Sequence, residues 1–406
     1  MLRNLRLYTW YQFGISFYAW MPVFFLYFGS KVNLSQVFLL ESIYYAGVFV
    51  FEVPSGYFSD RIGRKPTLVL AAASLVIAYF GFWMSSEFWH LALAQVFLAI
   101  GLAFNSGTDT VFHLDTLTDL NRDNEYGARE ARLSRLVFIA GALSALAGGL
   151  LASVDLSWAY VASGLMATIS LGAALLFKEP KNAHLTEGVL ASLKTCYVAT
   201  FQNQKTLPSL WWLALFWVCA VVVNHLPYEF YQPYFESLAH KGVWNSSSTP
   251  IFAGAHAAVV QLIAALIAGG SIVFTRRIGL KRVLISAMAL QALVMTSMVF
   301  SSPMIAAALA FRSVPRALQD APIREAITPK VPAHVRATYL SLLSLVGRFG
   351  FSGVLILLAW WSGDVLEKSI SAAAILSWLL VAAVVFALLL NAKFAVATSQ
   401  NEVDQA

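Results

Sequence analysis

Cysteine is almost missing from this 406-residue chain. Cys196 and Cys219 are the only two, too few for a disulfide framework or a thiolate metal centre. Charge is scarce too. Asp, Glu, Lys and Arg make up 12% of the residues against 59% hydrophobic, whereas soluble domains carry about 25% charged residues. That balance excludes a water-soluble core and indicates a polytopic membrane protein. The seven histidines form no His-x-x-x-His pair. With no paired acidic ligand motif and no Ser/His/Asp constellation evident, neither a resident metal nor a membrane-embedded enzyme is expected. A net charge of +6 does not mark a nucleic-acid partner here, because the cations sit at the ends of apolar runs.

What the chain does have is apolar length. Windows near 20 residues, enough to cross about 30 Å of hydrocarbon, recur over 7–29, 34–58, 66–85, 88–117, 133–153, 156–177, 208–235, 250–274, 281–300, 303–327, 337–361 and 369–393. The expected fold is all-α, with twelve transmembrane helices in two pseudo-symmetric halves, 1–177 and 208–406. A linker over 178–207 holds Lys178, Lys181, Lys194 and Lys205 and has room for an interfacial helix. The basic start (Arg3, Arg6) runs into an apolar stretch reaching Phe28 without a small-residue cleavage site, so it reads as a retained first span. Of 27 Lys and Arg, only Lys31, Lys241 and Lys368 fall on the opposite side, and Arg312, Arg316 and Arg348 fall inside spans. The positive-inside rule then puts both termini in the cytoplasm of a bacterial-type inner membrane.

One stretch, Gly56 to Lys65, interrupts the apolar pattern with Asp60, Arg61, Arg64 and Lys65. It reads as a tight polar loop between spans two and three, with Gly63 and Pro66 suited to the turn. Arg277-Ile278-Gly279-Leu280-Lys281-Arg282 repeats it between spans eight and nine, with Arg276 where Asp60 would stand and Ile272 where Gly56 would stand. A parallel repeat of this kind implies two halves related by an axis along the membrane normal, with a path between them.

Gly56, Asp60, Arg61, Gly63, Arg64 and Lys65 fill the Gly-x-x-x-Asp-Arg-x-Gly-Arg-Arg/Lys signature of the major facilitator superfamily of secondary transporters, which the whole chain resembles. The resemblance implies a cytoplasmic gate, in which Asp60 caps the N-terminal end of span eleven. The loop cations would reach a carboxylate at the base of span four, and Asp115 is the candidate for Arg61 or Arg64. Glu52, close to Pro54 and Gly56, is read with the gate. The alternative is that these cations only set topology. Two family patterns depart: the position of the span-four Arg is held by Phe97, and the span-five antiporter pattern survives only as Gly141 and Gly148-Gly149, without its proline. Those small residues also suit close helix packing.

Ionisable residues inside spans are functional candidates, because a charge at the bilayer centre costs roughly 2.5–3.5 kcal/mol. Span four spaces Asn105, Asp109 and His113 four residues apart, on one helical face. Either that face lines the cavity or Asp109 and His113 satisfy each other. Span seven holds His225, Tyr228, Glu229 and Gln232 on a face, flanked by Pro227 and Pro233. It is either a broken helix lining the path or the wet outer end of the span. In span ten, Arg316 and Asp320 can pair along the helix, whereas Arg312 has no acid four residues away and must face a cavity or another span. Glu41, His256, Gln261 and Arg348 are scattered. The span-one aromatics, including Trp10, Tyr11, Trp20, Phe24 and Phe25, either stack a ring-bearing substrate or form belts.

Together these features describe a secondary active transporter working by alternating access. The resemblance brings no cofactor; a proton gradient would supply the energy, with Asp109, His113 or Glu229 as carriers. Export of a small organic compound is the first expectation, and proton-coupled uptake of a polar, anionic or zwitterionic metabolite the alternative. The expected partners are a small-molecule substrate and the lipid bilayer, with no nucleic acid, and the protein is expected to be a monomer.

Overall fold

A computed structural model describes residues 1–181, 197–198, 209–327, 330–331 and 336–403, and every regular element among them is helical. Among the described residues, nine helices are long and apolar enough to cross a membrane by length and composition. The other three expected spans are present in interrupted or shorter form. Span one divides into α1 (Leu2–Ile15) and α2 (Phe24–Gly29). Span five is the apolar stretch Ile139–Ala152 of a longer helix, and span ten is broken in two.

The remaining elements of the first six spans are α3 (Leu34–Arg61), α4 (Arg64–Met84), α5 (Phe88–Asn105), α6 (Thr108–Thr118), α7 (Tyr126–Ala152) and α8 (Trp158–Leu175). A capping box starts α3: Gln36 N–H donates to Asn33 Oδ1 at 2.9 Å, and Asn33 N–H donates to Gln36 Oε1 at 3.3 Å. The second six comprise α9 (Leu210–His240), α10 (Thr249–Ile278), α11 (Leu280–Ser297), α12 (Pro303–Ala308), α13 (Val314–Ile327), α14 (Arg336–Ser362) and α15 (Leu366–Val403). A single 3-10 turn, Leu309–Phe311, interrupts span ten between α12 and α13.

Packing divides the chain into two compact units, Met1–Thr186 with Phe235–Ala258, and Glu187–Tyr234 with Val259–Ala406. This differs from a division at the linker, because the segment after Tyr234 packs with the first unit. A Cβ on Gly149 would lie 2.8 Å from the Pro250 carbonyl oxygen, and one on Gly148 would strike the Ala19 carbonyl. These two glycines are therefore occupied by close backbone approach. The expected interfacial helix around Lys194 and Lys205 lies outside the described residues.

Most span-one aromatics form neither a belt nor a ring clamp. Trp20, Phe24 and Phe25 are buried in the first unit, where Tyr160 meets Trp20, Tyr27 and Phe82 at centroid distances of 6.2, 4.5 and 5.0 Å. Trp10 is the exposed exception. In the second unit the core gathers Trp212, Phe216, Leu284, Met288, Ile323 and Val384 from α9, α11, α13 and α15.

Candidate functional site

Gly107 has φ +75°, a left-handed backbone that a residue without Cβ adopts at little cost. It ends α5 and opens α6, so Asn105, Asp109 and His113 do not ride one uninterrupted helix as their spacing implied. They are gathered instead by α1. Tyr11 Oη donates to Asn105 Oδ1 at 2.7 Å, and Gln12 Nε2 donates to Asp109 Oδ2 at 2.8 Å and to Tyr8 Oη at 2.6 Å. The Tyr8 ring stacks on His113 with centroids 4.6 Å apart. The other oxygen of Asp109 accepts from Thr110 N–H at 2.7 Å, in the first turn of α6, where the helix dipole favours an anion. Tyr8, Tyr11 and Gln12 were not singled out as polar partners by sequence reading. Their i, i+3, i+4 spacing on an aromatic span was the available signal.

The charged stretch between spans two and three is less of a loop than expected. Because α3 runs to Arg61 and α4 begins at Arg64, only Ile62 and Gly63 lie outside helix. Gly56 is inside α3, Asp60 lies in its last turn with a side chain outside the described residues, and Arg61 is exposed. Arg64 turns inward. Its Nε sits 3.5 Å from Asp115 Oδ2, with both side chains buried, and its Nη1 donates to Ser59 Oγ at 2.8 Å.

An acid that sequence reading passed over completes this latch. Glu179, just past span six, accepts from Arg64 N–H at 2.6 Å with one carboxylate oxygen and from Lys65 N–H at 2.8 Å with the other. It thereby caps the positive end of α4. Gly63, at φ +128°, leaves room for this cap, since a Cβ there would come within 2.9 Å of the carboxylate. The same short segment is tied at two further points: Asn4 and Lys178 exchange hydrogen bonds of 2.7 and 2.9 Å, and Lys181 N–H donates to Asp119 at 2.9 Å. Gly279 repeats the positive φ, at +98°, before α11, and there Arg276 pairs with Glu325 at 3.0 Å. The degenerate repeat thus keeps its backbone geometry.

Glu179→Ala should lower unfolding stability by about 1–2 kcal/mol, the value of a lost cap on a dipole-favoured anion. Thermal unfolding in lipid checks it, with the neighbouring exposed Lys181→Ala as the reference, which removes a side chain but keeps the backbone N–H. Equal midpoints for the two variants would remove Glu179 from the latch.

Glu52, grouped with the gate on sequence proximity, is met by Ser106 Oγ at 3.1 Å. That contact brings it to the break in span four, beside Asn105, rather than to the charged turn. Helical rise explains the separation: Glu52 and Asp60 lie about 12 Å apart along the axis.

In the second unit, α9 runs continuously through Pro227 and Pro233. Glu229 and Gln232 are 0% exposed, so this part of the span is not a wet end in the structure. His225 turns onto its own helix, donating from Nδ1 to the Val221 carbonyl at 2.6 Å, and its ring lies 5.2 Å from that of Phe351. Arg312, 6% exposed, holds its guanidinium 4.0 Å above the Tyr231 ring, and Tyr231 Oη accepts from Gln232 Nε2 at 3.1 Å. Tyr228 lies 6.2 Å from Tyr231, ring to ring. Span seven and span ten therefore meet through a cation and an aromatic face. Arg316 and Asp320 form an exposed pair at 3.4 Å along α13. Among the described residues no cluster of three or more His, Cys, Asp or Glu could hold a metal ion.

The arrangement offers a hydrogen-bonded carboxylate at a helix break in one unit and a buried guanidinium against an aromatic ring in the other. Comparison with known proteins gives a family model, the Major Facilitator Superfamily, matching residues 10–354. No curated protein matches the chain. Among solved structures it is similar to the nucleoside transporter NupG, with a TM-score of 0.76 at 13% identity over 95% of this chain and 98% of that one. A D-xylose-proton symporter gives 0.66 at 13% over 96% of each chain. A bacterial homologue of the human lysosomal transporter Spinster gives 0.62 at 19% over 98% of this chain and 96% of that one.

Proposed function

The chain belongs to the major facilitator superfamily, and from that premise we propose that it is a proton-coupled secondary transporter of a small polar organic solute, working by alternating access. It is a membrane transporter and not an enzyme. The observation that carries proton coupling is Asp109, an acid set at a break in span four and held by Gln12 and the first turn of α6. An acid at membrane depth is costly, and one placed at interrupted backbone is suited to take up and release a proton. His113, against Tyr8, and the buried Glu229 are the other carriers in this reading.

The polarity of the solute is supported by Arg312 together with Glu229 and Gln232, all buried. A guanidinium fixed by an aromatic face is suited to a carboxylate or phosphate group, which favours an anionic or zwitterionic metabolite. Export of a drug-like compound is the second reading. The features that first pointed to it, the Gly148-Gly149 pair and the span-one aromatics, are engaged in packing. At 13% identity the likeness to solved transporters extends to fold and not to cargo. We place both termini and the Arg64–Asp115–Glu179 latch on the cytoplasmic side of an inner membrane, following the cation asymmetry, and assign the latch to the gate.

A ligand screen by thermal shift at two pH values identifies the solute class, because a ligand that binds only the folded protein raises the midpoint. In liposomes, a pH gradient should then drive accumulation of that solute with measurable proton movement. Equilibration that ignores the gradient would overturn the coupling. Right-side-out against inverted vesicles separates uptake from export.

A further inference from the structure

Glu41 belongs to none of these groups. It lies about 10 Å along α3, and Gln95 lies about 10 Å along α5, well inside an apolar span in each case. The two helices cross closely here: a Cβ on Gly47 would come within 2.8 Å of the Ala99 side chain. Glu41 is 5% exposed and Gln95 1%. Gln95 Nε2 donates to Glu41 Oε1 at 2.9 Å. Gln95 Oε1 is buried with no donor.

These contacts constrain the proton count. An ionised Glu41 would be a buried anion with one neutral donor and no cation among the described residues, a costly state in hydrocarbon. It would also offer only acceptors, leaving the Gln95 carbonyl unsatisfied at a further cost of about 1–3 kcal/mol. A neutral acid removes both problems. Its O–H is the missing donor for Gln95 Oε1, while its C=O accepts from Nε2. The result is a closed acid–amide ring of two hydrogen bonds, with every buried polar atom paired.

We propose that Glu41 and Gln95 form a proton-binding site, in which a resident proton on the Glu41 carboxyl is shared with the Gln95 carbonyl and pins span two to span four. The site is separate from Asp109, and no step moves this proton during transport. Few other titratable groups stand nearby. The elements packed against α3 contribute His90, exposed in the first turn of α5, and the phenols Tyr79 of α4 and Tyr27 of α2, while Arg64 and Lys65 lie at the far end of α4. On α3 itself Tyr44 and Tyr45 follow one turn later, and Asp60, Arg61 and Glu52 lie toward the other end.

The test is infrared spectroscopy on the full chain in lipid at neutral pH, comparing wild type with Glu41→Gln. Glutamine preserves the ring as an amide–amide pair, so the variant should fold. The difference spectrum should show loss of one protonated-carboxyl C=O band and no loss of carboxylate bands. Loss of carboxylate intensity instead overturns the proposal. Should Glu41→Gln fail to fold, Gln95→Leu serves: removing the amide donor must move the same C=O band to higher frequency, and an unmoved band equally overturns the ring. A third readout is the pH dependence of the unfolding midpoint. Wild type should lose stability as the pH rises, because the unfolded chain releases the Glu41 proton that the folded ring retains, whereas Glu41→Gln should lack that loss. Parallel profiles would also refute the site.

Discussion

Asp109→Asn is expected to abolish concentrative transport while leaving downhill equilibration of the same solute intact. One pH unit across the membrane is worth about 1.4 kcal/mol, so a single coupled proton supports up to roughly tenfold accumulation. The variant should give a ratio near one under the same gradient. Asparagine keeps a carbonyl acceptor for Gln12 or Thr110 but cannot take up a proton, and its amide opposes the Gln12 donor at 2.8 Å. That mismatch costs about 1 kcal/mol of stability, too little to unfold the protein. Glu52→Gln is the comparison, since Glu52 sits at the same helix break. If Asp109→Asn still concentrates solute, the coupling acid is elsewhere, and Glu229 becomes the residue to change.

The second large effect is at Arg312. Its guanidinium is buried above the Tyr231 ring, where a desolvated cation–π contact is worth about 2 kcal/mol or more. Arg312→Ala should therefore shift the unfolding equilibrium by at least about thirtyfold, an effect read as a lowered midpoint in lipid. Arg312→Lys should recover only part of it, because an ammonium lacks the planar face that stacks. Arg316→Ala, which removes one partner of an exposed i, i+4 pair, should stay within about 0.5 kcal/mol of wild type. Equal losses at 312 and 316 would mean that the Tyr231 contact is not what holds Arg312.

The latch shows how far residue patterns reach. Cations between two apolar runs and an acid at the base of span four made Asp115 a candidate partner by position alone, and the structure has Arg64 against it. Glu179 was not recoverable that way. It stands outside every span, and its role comes from where span six ends relative to the start of α4. Four-residue spacing likewise misjudged span four, because Gly107 permits a positive φ without requiring one. In the structure α1 meets that break through Tyr11 and Gln12.

Hydropathy is additive and local, so the sequence alone determined an all-helical membrane chain of apolar spans and the charged turn with its repeat. Which polar atom satisfies which is neither additive nor local. It depends on the rotation of each helix about its axis and on contacts of about 3 Å between spans distant in the chain. Those decided that Gln12 holds Asp109, that the Tyr231 ring receives Arg312, and that Glu41 meets an amide with one oxygen still in want of a proton.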